Sequence, residues 1–151
     1  MLNIVHRIGI SNTTLKEVYN AIATREGIAS WWTTEVHGTS EVGKVLEFRF
    51  GQGGPHFEVL KLVPMKMVEW KCVSGPPEWM DTHIEFNISK QDDEIVLLFK
   101  HSGWKIEDEF MYHCSTQWGY FLITLKDKLA GIRKAKPFGS DEYEPISTWL
   151  K

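Results

Sequence analysis

The chain has 151 residues, with 42% hydrophobic, 13% aromatic and 25% charged content, a composition that suits one globular unit and excludes a disordered or collagen-like chain. Seventeen Lys and Arg against twenty Asp and Glu leave a formal charge of -3, so no broad positive field exists to draw in nucleic acid or an anionic membrane surface. A chain of this length buries about 68 to 70% of its unfolded surface and needs no disulfide or structural metal to stabilise it.

Residues 3 to 10 alternate Ile4, His6, Ile8 and Ile10 against Val5, Arg7 and Gly9, the period of a first strand. Ser11 to Thr14 supply N-cap candidates for a short helix in which Leu15, Val18, Tyr19 and Ile22 share a face. A second helical turn covers Arg25 to Trp32. Its adjacent Trp31 and Trp32 cannot point the same way on a helix, so one of them is expected to line something other than the main core.

From residue 44 to residue 102 short alternating runs separated by turn chemistry predict consecutive antiparallel strands. Leu46, Phe48 and Phe50 form one face of a strand that ends at Gly51-Gln52-Gly53-Gly54-Pro55. His56 to Val63 and Met67 to Val73 follow, closed by Pro64 and by Gly75-Pro76-Pro77. Met80, Thr82, Ile84, Phe86 and Ile88 read as the inner face of the next strand, and Ile95, Leu97, Phe99 and His101 as that of the last.

Residues 107 to about 134 predict a long C-terminal helix, with Phe110, Cys114, Trp118, Phe121, Leu125 and Leu129 at three- and four-residue steps. Glu107, Asp108 and Glu109 stand at its positive end, and Lys126, Lys128, Arg133 and Lys134 toward its negative end, as the helix dipole favours. Pro137 stops it. The chain therefore divides into a core over 1-136 and a tail over 137-151, and the tail is expected to fold back on the core through Trp149.

This order predicts an α+β fold: a curved antiparallel sheet of about six strands wrapped around the long C-terminal helix, with two short helices between strands one and two. A bent sheet diverges from a straight helix at one end, and the aromatic content makes the space between them apolar. The residues expected to bind a ligand there are Trp32, Phe48, Trp70, Trp79, Thr82, Phe99, His101, Phe110, His113, Cys114, Gln117 and Trp118. His101 and Gln117 would set a ligand's orientation. Trp79, in a loop after two prolines, would act as a gate. A core histidine bonded to a neighbouring loop is the plainer role for His101, and plain packing that for the aromatic residues.

No catalytic residue is assigned, because the spacing of Cys114, His101 and His113 enforces no nucleophile-base geometry. Cys72 and Cys114 belong to no CxxC pair and read as buried unbridged thiols, and no metal site or cofactor is expected. Without an apolar run of bilayer length or a signal-like N-terminus, the expected location is cytoplasmic, as a monomer or homodimer.

Four segments, in this order, resemble the START-like helix-grip superfamily (SRPBCC), and within it the branch typified by the C-terminal domain of the activator of heat-shock protein 90 ATPase. They are Val18-Tyr19-Asn20-Ala21-Ile22, Trp31-Trp32, His101-Ser102-Gly103-Trp104 and Trp118 to Leu125. The resemblance implies a single START-like domain over 1-151. It implies binding of a hydrophobic, amphipathic or lipid-like small molecule, with two alternatives: a co-chaperone-like module acting on heat-shock protein 90, or a polyketide cyclase/aromatase-like enzyme.

Overall fold

The computed structural model describes residues 2–132 and 136–147. Strand β1 (Leu2–Ile10) leads into helices α1 (Leu15–Ala23) and α2 (Arg25–Ala29), followed by β2 (Glu35–Gly38), β3 (Val45–Arg49), β4 (His56–Val63), β5 (Met67–Ser74), β6 (His83–Gln91), β7 (Glu94–Trp104) and helix α3 (Glu109–Ala130). The strands form one antiparallel sheet in the order β1-β7-β6-β5-β4-β3-β2, so the chain meanders outward and the first strand closes beside the last. This is an α+β helix-grip arrangement, with the sheet curved around α3.

Local chemistry explains the element ends. Thr14 and Thr24 cap α1 and α2, their side chains accepting from Glu17 N and Gly27 N. Asp108 caps α3 by accepting from Met111 N, and Gly131 ends it in the left-handed conformation at φ 68°. Register shifts between His56 and Phe57, and between Val59 and Lys61, bend β4 against β5.

One face of the sheet carries the core. Ile4, Ile8, Leu46, Phe48, Phe57, Val59, Val68, Trp70, Ile84, Phe86, Leu97 and Phe99 are all buried against Val18 and Ile22 of α1 and Trp118, Leu122 and Leu125 of α3. Cys72 and Cys114 are both buried and neither forms a disulfide.

Three expectations are corrected. The sheet has seven strands, because Glu35–Gly38 pairs with β3; this strand is mostly exposed and carries no apolar alternation to mark it. The strand expected from Met80 starts at His83: Pro77–Trp79 forms a 3-10 turn, and Asp81 at φ 65° breaks the extended backbone. Helix α3 ends at Ala130, so Lys128 stands in its last turn; Arg133, Lys134 and the Trp149 expected to fold the tail back lie outside the described residues.

Candidate functional site

On α3, Phe110, His113, Cys114, Gln117, Trp118 and Phe121 recur at three- and four-residue steps and so share a stripe along its N-terminal half. There they face a cleft of about 560 Å³ that opens to solvent. Opposite stand Trp32, Phe50 at the end of β3, Gly54 and Pro55 in the β3–β4 turn, and Pro76 and Trp79 in the β5–β6 turn. Gly54 is required there: a Cβ would stand 1.8 Å from the carbonyl oxygen of Phe48. The remaining wall comes from Phe138, Tyr143, Pro145 and Ser147.

The tryptophan pair divides as its spacing demands. Trp31 points beneath α1, where its Nε1–H donates to Ala21 O at 2.8 Å, and its ring meets Phe86 edge-on. Trp32 turns toward the sheet and α3, its ring 4.6 Å from Phe48 and 4.8 Å from Trp118, and forms the floor of the cleft.

Behind the cleft runs a directional chain of hydrogen bonds. The Trp118 indole N–H donates to His101 Nδ1 at 3.2 Å, which places the imidazole proton on Nε2. That group donates to Thr82 Oγ1 at 2.9 Å, and the Thr82 hydroxyl donates to Trp79 O at 2.5 Å. Burial holds the His101 pKa down at about 3, so the ring is neutral near pH 7. The chain ties together two indoles that stack across the cleft wall, Trp79 and Trp118, with ring centroids 6.1 Å apart and an 18° interplanar angle.

Among the described residues that line the cleft, none is Asp, Glu, Lys or Arg. Burial lowers the pKa of His113, which keeps that imidazole neutral near pH 7, and its Nδ1 lies 2.7 Å from Ser147 Oγ. Gln117 donates through Nε2 to Ser147 O at 2.5 Å. Among the described residues, Gln117 Oε1 and Trp79 Nε1 are buried without a hydrogen-bond partner. The described residues hold no group of three His, Cys, Asp or Glu side chains arranged to bind a metal ion. No helix among them is long and apolar enough to cross a membrane.

Of the twelve residues expected to bind a ligand, Trp32, Trp79, Phe110, His113, Cys114, Gln117 and Trp118 stand at the cleft wall. Phe48, Trp70, Thr82, Phe99 and His101 do not. The sheet's inner face packs directly on Trp32, Trp118 and α3 at that level, which puts these five side chains in the core one layer behind the wall. His101 is therefore a core histidine bonded to the turn that carries Trp79. Trp79 is half-buried and stacked, not a free flap.

Sequence reasoning missed Phe50, Phe121, Gly54, Pro55, Pro76 and the four tail residues. Phe50 and Phe121 had visible signals, the last apolar position before a glycine-rich turn and a place on the α3 stripe. The turn and tail residues had none, because no periodicity runs through them.

No curated protein sequence matches the chain. Among solved structures it is similar to the Aha1 dimer from Colwellia psychrerythraea, at 41% identity over 86% of this chain and 97% of that one, with a TM-score of 0.80. A Staphylococcus saprophyticus protein shares the fold at 14% identity, covering 90% of this chain and 97% of that one, with a TM-score of 0.74. CalU16 from Micromonospora echinospora does so at 20% identity, covering 95% and 75%, also with a TM-score of 0.74. The family model described as Activator of Hsp90 ATPase homolog 1-like protein matches residues 12–130, and the chain belongs to that family.

Proposed function

We propose that the chain binds an uncharged, largely apolar small molecule of flat or aromatic shape in the cleft between the sheet and α3. The observation that carries this reading is a cleft of about 560 Å³ walled by aromatic side chains, with no charged residue among the described ones that line it. That volume lies within the range of small-molecule sites. A ligand losing about 300 Å² of apolar surface to such a wall gains roughly 7 kcal/mol before association costs. A carboxylate or phosphate would lose its hydration with no cation among the described lining residues to replace it, which disfavours an ionised lipid headgroup inside. A hydroxyl or amide could exchange bonds with Gln117, His113 or Ser147.

The test uses Nile red, a neutral planar dye whose emission shifts on leaving water. Saturable one-site binding is expected, weakened at least about tenfold in Cys114→Phe, which pushes a ring into the cleft. A thermal unfolding scan verifies that the variant is folded. Failure of the folded wild-type chain to bind the dye saturably would overturn the proposal.

Family membership supports a second reading, an interaction module that acts on the heat-shock protein 90 ATPase. The dimer formed by the Colwellia psychrerythraea relative supports a homodimeric state for it. Stimulation of a purified heat-shock protein 90 ATPase by the chain, with its mass measured by light scattering, tests both points.

A further inference from the structure

The family match ends at residue 130, yet a quarter of the cleft wall comes from beyond it. Past α3 the described chain resumes at Lys136, where Tyr120 Oη–H donates to Lys136 O at 3.1 Å. Phe138 is then held at both backbone groups: its N–H donates to Trp32 O and its carbonyl accepts from Thr34 N, each at 2.9 Å. Gly139 follows at φ 93°, in the left-handed region.

After a turn, Tyr143 stacks on Phe121 of α3 with the rings 3° from parallel, and the segment reaches Ser147 over His113 and Gln117. The two ends are held differently. The Phe138 end is tied by backbone bonds to the segment just ahead of β2. Beyond Tyr143, the hydrogen bonds seen among the described residues are the two that Ser147 makes with the α3 side chains. In this position Gln117 Oε1 is buried with no partner among the described residues, a penalty that contact with water would relieve.

We propose that residues 136–147 are a movable fourth wall of the binding cleft, anchored at Phe138, pivoting at Gly139 and latched through Ser147 onto His113 and Gln117. Unlatching widens the open mouth of the cleft, so the tail sets exchange rate and admissible ligand size. The purpose of this device rests on the binding reading, but its motion does not. Cys114 lies on the cleft wall under the strap and is 5% exposed, whereas Cys72 lies in the sheet with its thiol pushed up to about 11 by burial.

The test is carried out on the full chain with Tyr143→Ala and, separately, Ser147→Ala, which removes the hydroxyl latch to His113. The reaction of each cysteine with the bulky thiol reagent 5,5′-dithiobis(2-nitrobenzoate) is followed site by site by mass spectrometry. Cys114 should react about tenfold faster in both variants while Cys72 stays slow, since loss of stacking and of a latch bond each favours the open strap. Nile red should dissociate faster by a similar factor. An unchanged Cys114 rate in both variants, or acceleration of Cys72 in step with it, would overturn the strap. Faster Cys114 reaction in a chain that binds no Nile red would sustain the strap and sink the binding reading. Tight dye binding with all rates unchanged would do the reverse.

Discussion

Replacing His101 with glutamine separates the packing role of this residue from its titration. The imidazole is buried and its pKa is held at about 3 by desolvation, against an ordinary value of 6.5. Between those two values the unfolded chain binds one proton more than the folded chain at this site. Stability therefore falls as the pH falls, by about 1.4 kcal/mol per pH unit. From about pH 7 to about pH 4.5 this single group costs roughly 2–3 kcal/mol.

Glutamine can still accept from Trp118 Nε1 and donate to Thr82 Oγ1, but less well in a space shaped for a ring. At neutral pH the variant should therefore be less stable by about 1–3 kcal/mol. It has no proton to gain. Urea unfolding of both chains at the two pH values should show the deficit shrinking by roughly 2–3 kcal/mol in acid. Other groups, His6 and His113 among them, titrate in both chains and drop out of the difference. Parallel pH dependences would refute the assignment of a buried neutral imidazole.

Three further outcomes test other parts of the structure. Trp31→Phe leaves Ala21 O without its buried donor and should lower unfolding free energy by about 1–3 kcal/mol in urea. Gly54→Ala drives a methyl group into the backbone of β3, so the β3–β4 turn must shift; a loss above about 2 kcal/mol is expected, together with weaker Nile red binding, and an unchanged midpoint would contradict the close approach. Asp108→Ala removes the N-cap of α3 and should cost about 1 kcal/mol, seen as a lower thermal midpoint.

Much of the fold was legible because its signals are local. Strict alternation in β6, the apolar run of β7, helical spacing in α3 and threonine caps before α1 and α2 are each signals carried within a few residues. The short β2 escaped because nothing in Glu35–Gly38 alternates; it is a strand only because β3 offers a partner. The site was half legible for a related reason. Positions on the α3 stripe could be counted from the sequence, and seven expected residues do reach the cleft. Alternation identifies the inner face of a strand but gives no depth. It could not tell that Phe48, Trp70 and Phe99 stand behind Trp32 and Trp118, or that His101 bonds backward to Thr82.

By itself, the sequence determined the class and order of the longer elements, the apolar faces of their strands and the absence of a strong charge bias. These are properties of neighbours along the chain. Only the tertiary structure decided where the cleft opens, which aromatic rings wall it, that its described lining residues carry no charge, and that a segment beyond the family match lies across it. Those depend on how far a bent sheet diverges from a straight helix and on contacts between residues up to 109 positions apart, such as His6 with Ser115. No periodicity along a chain records a distance of that kind.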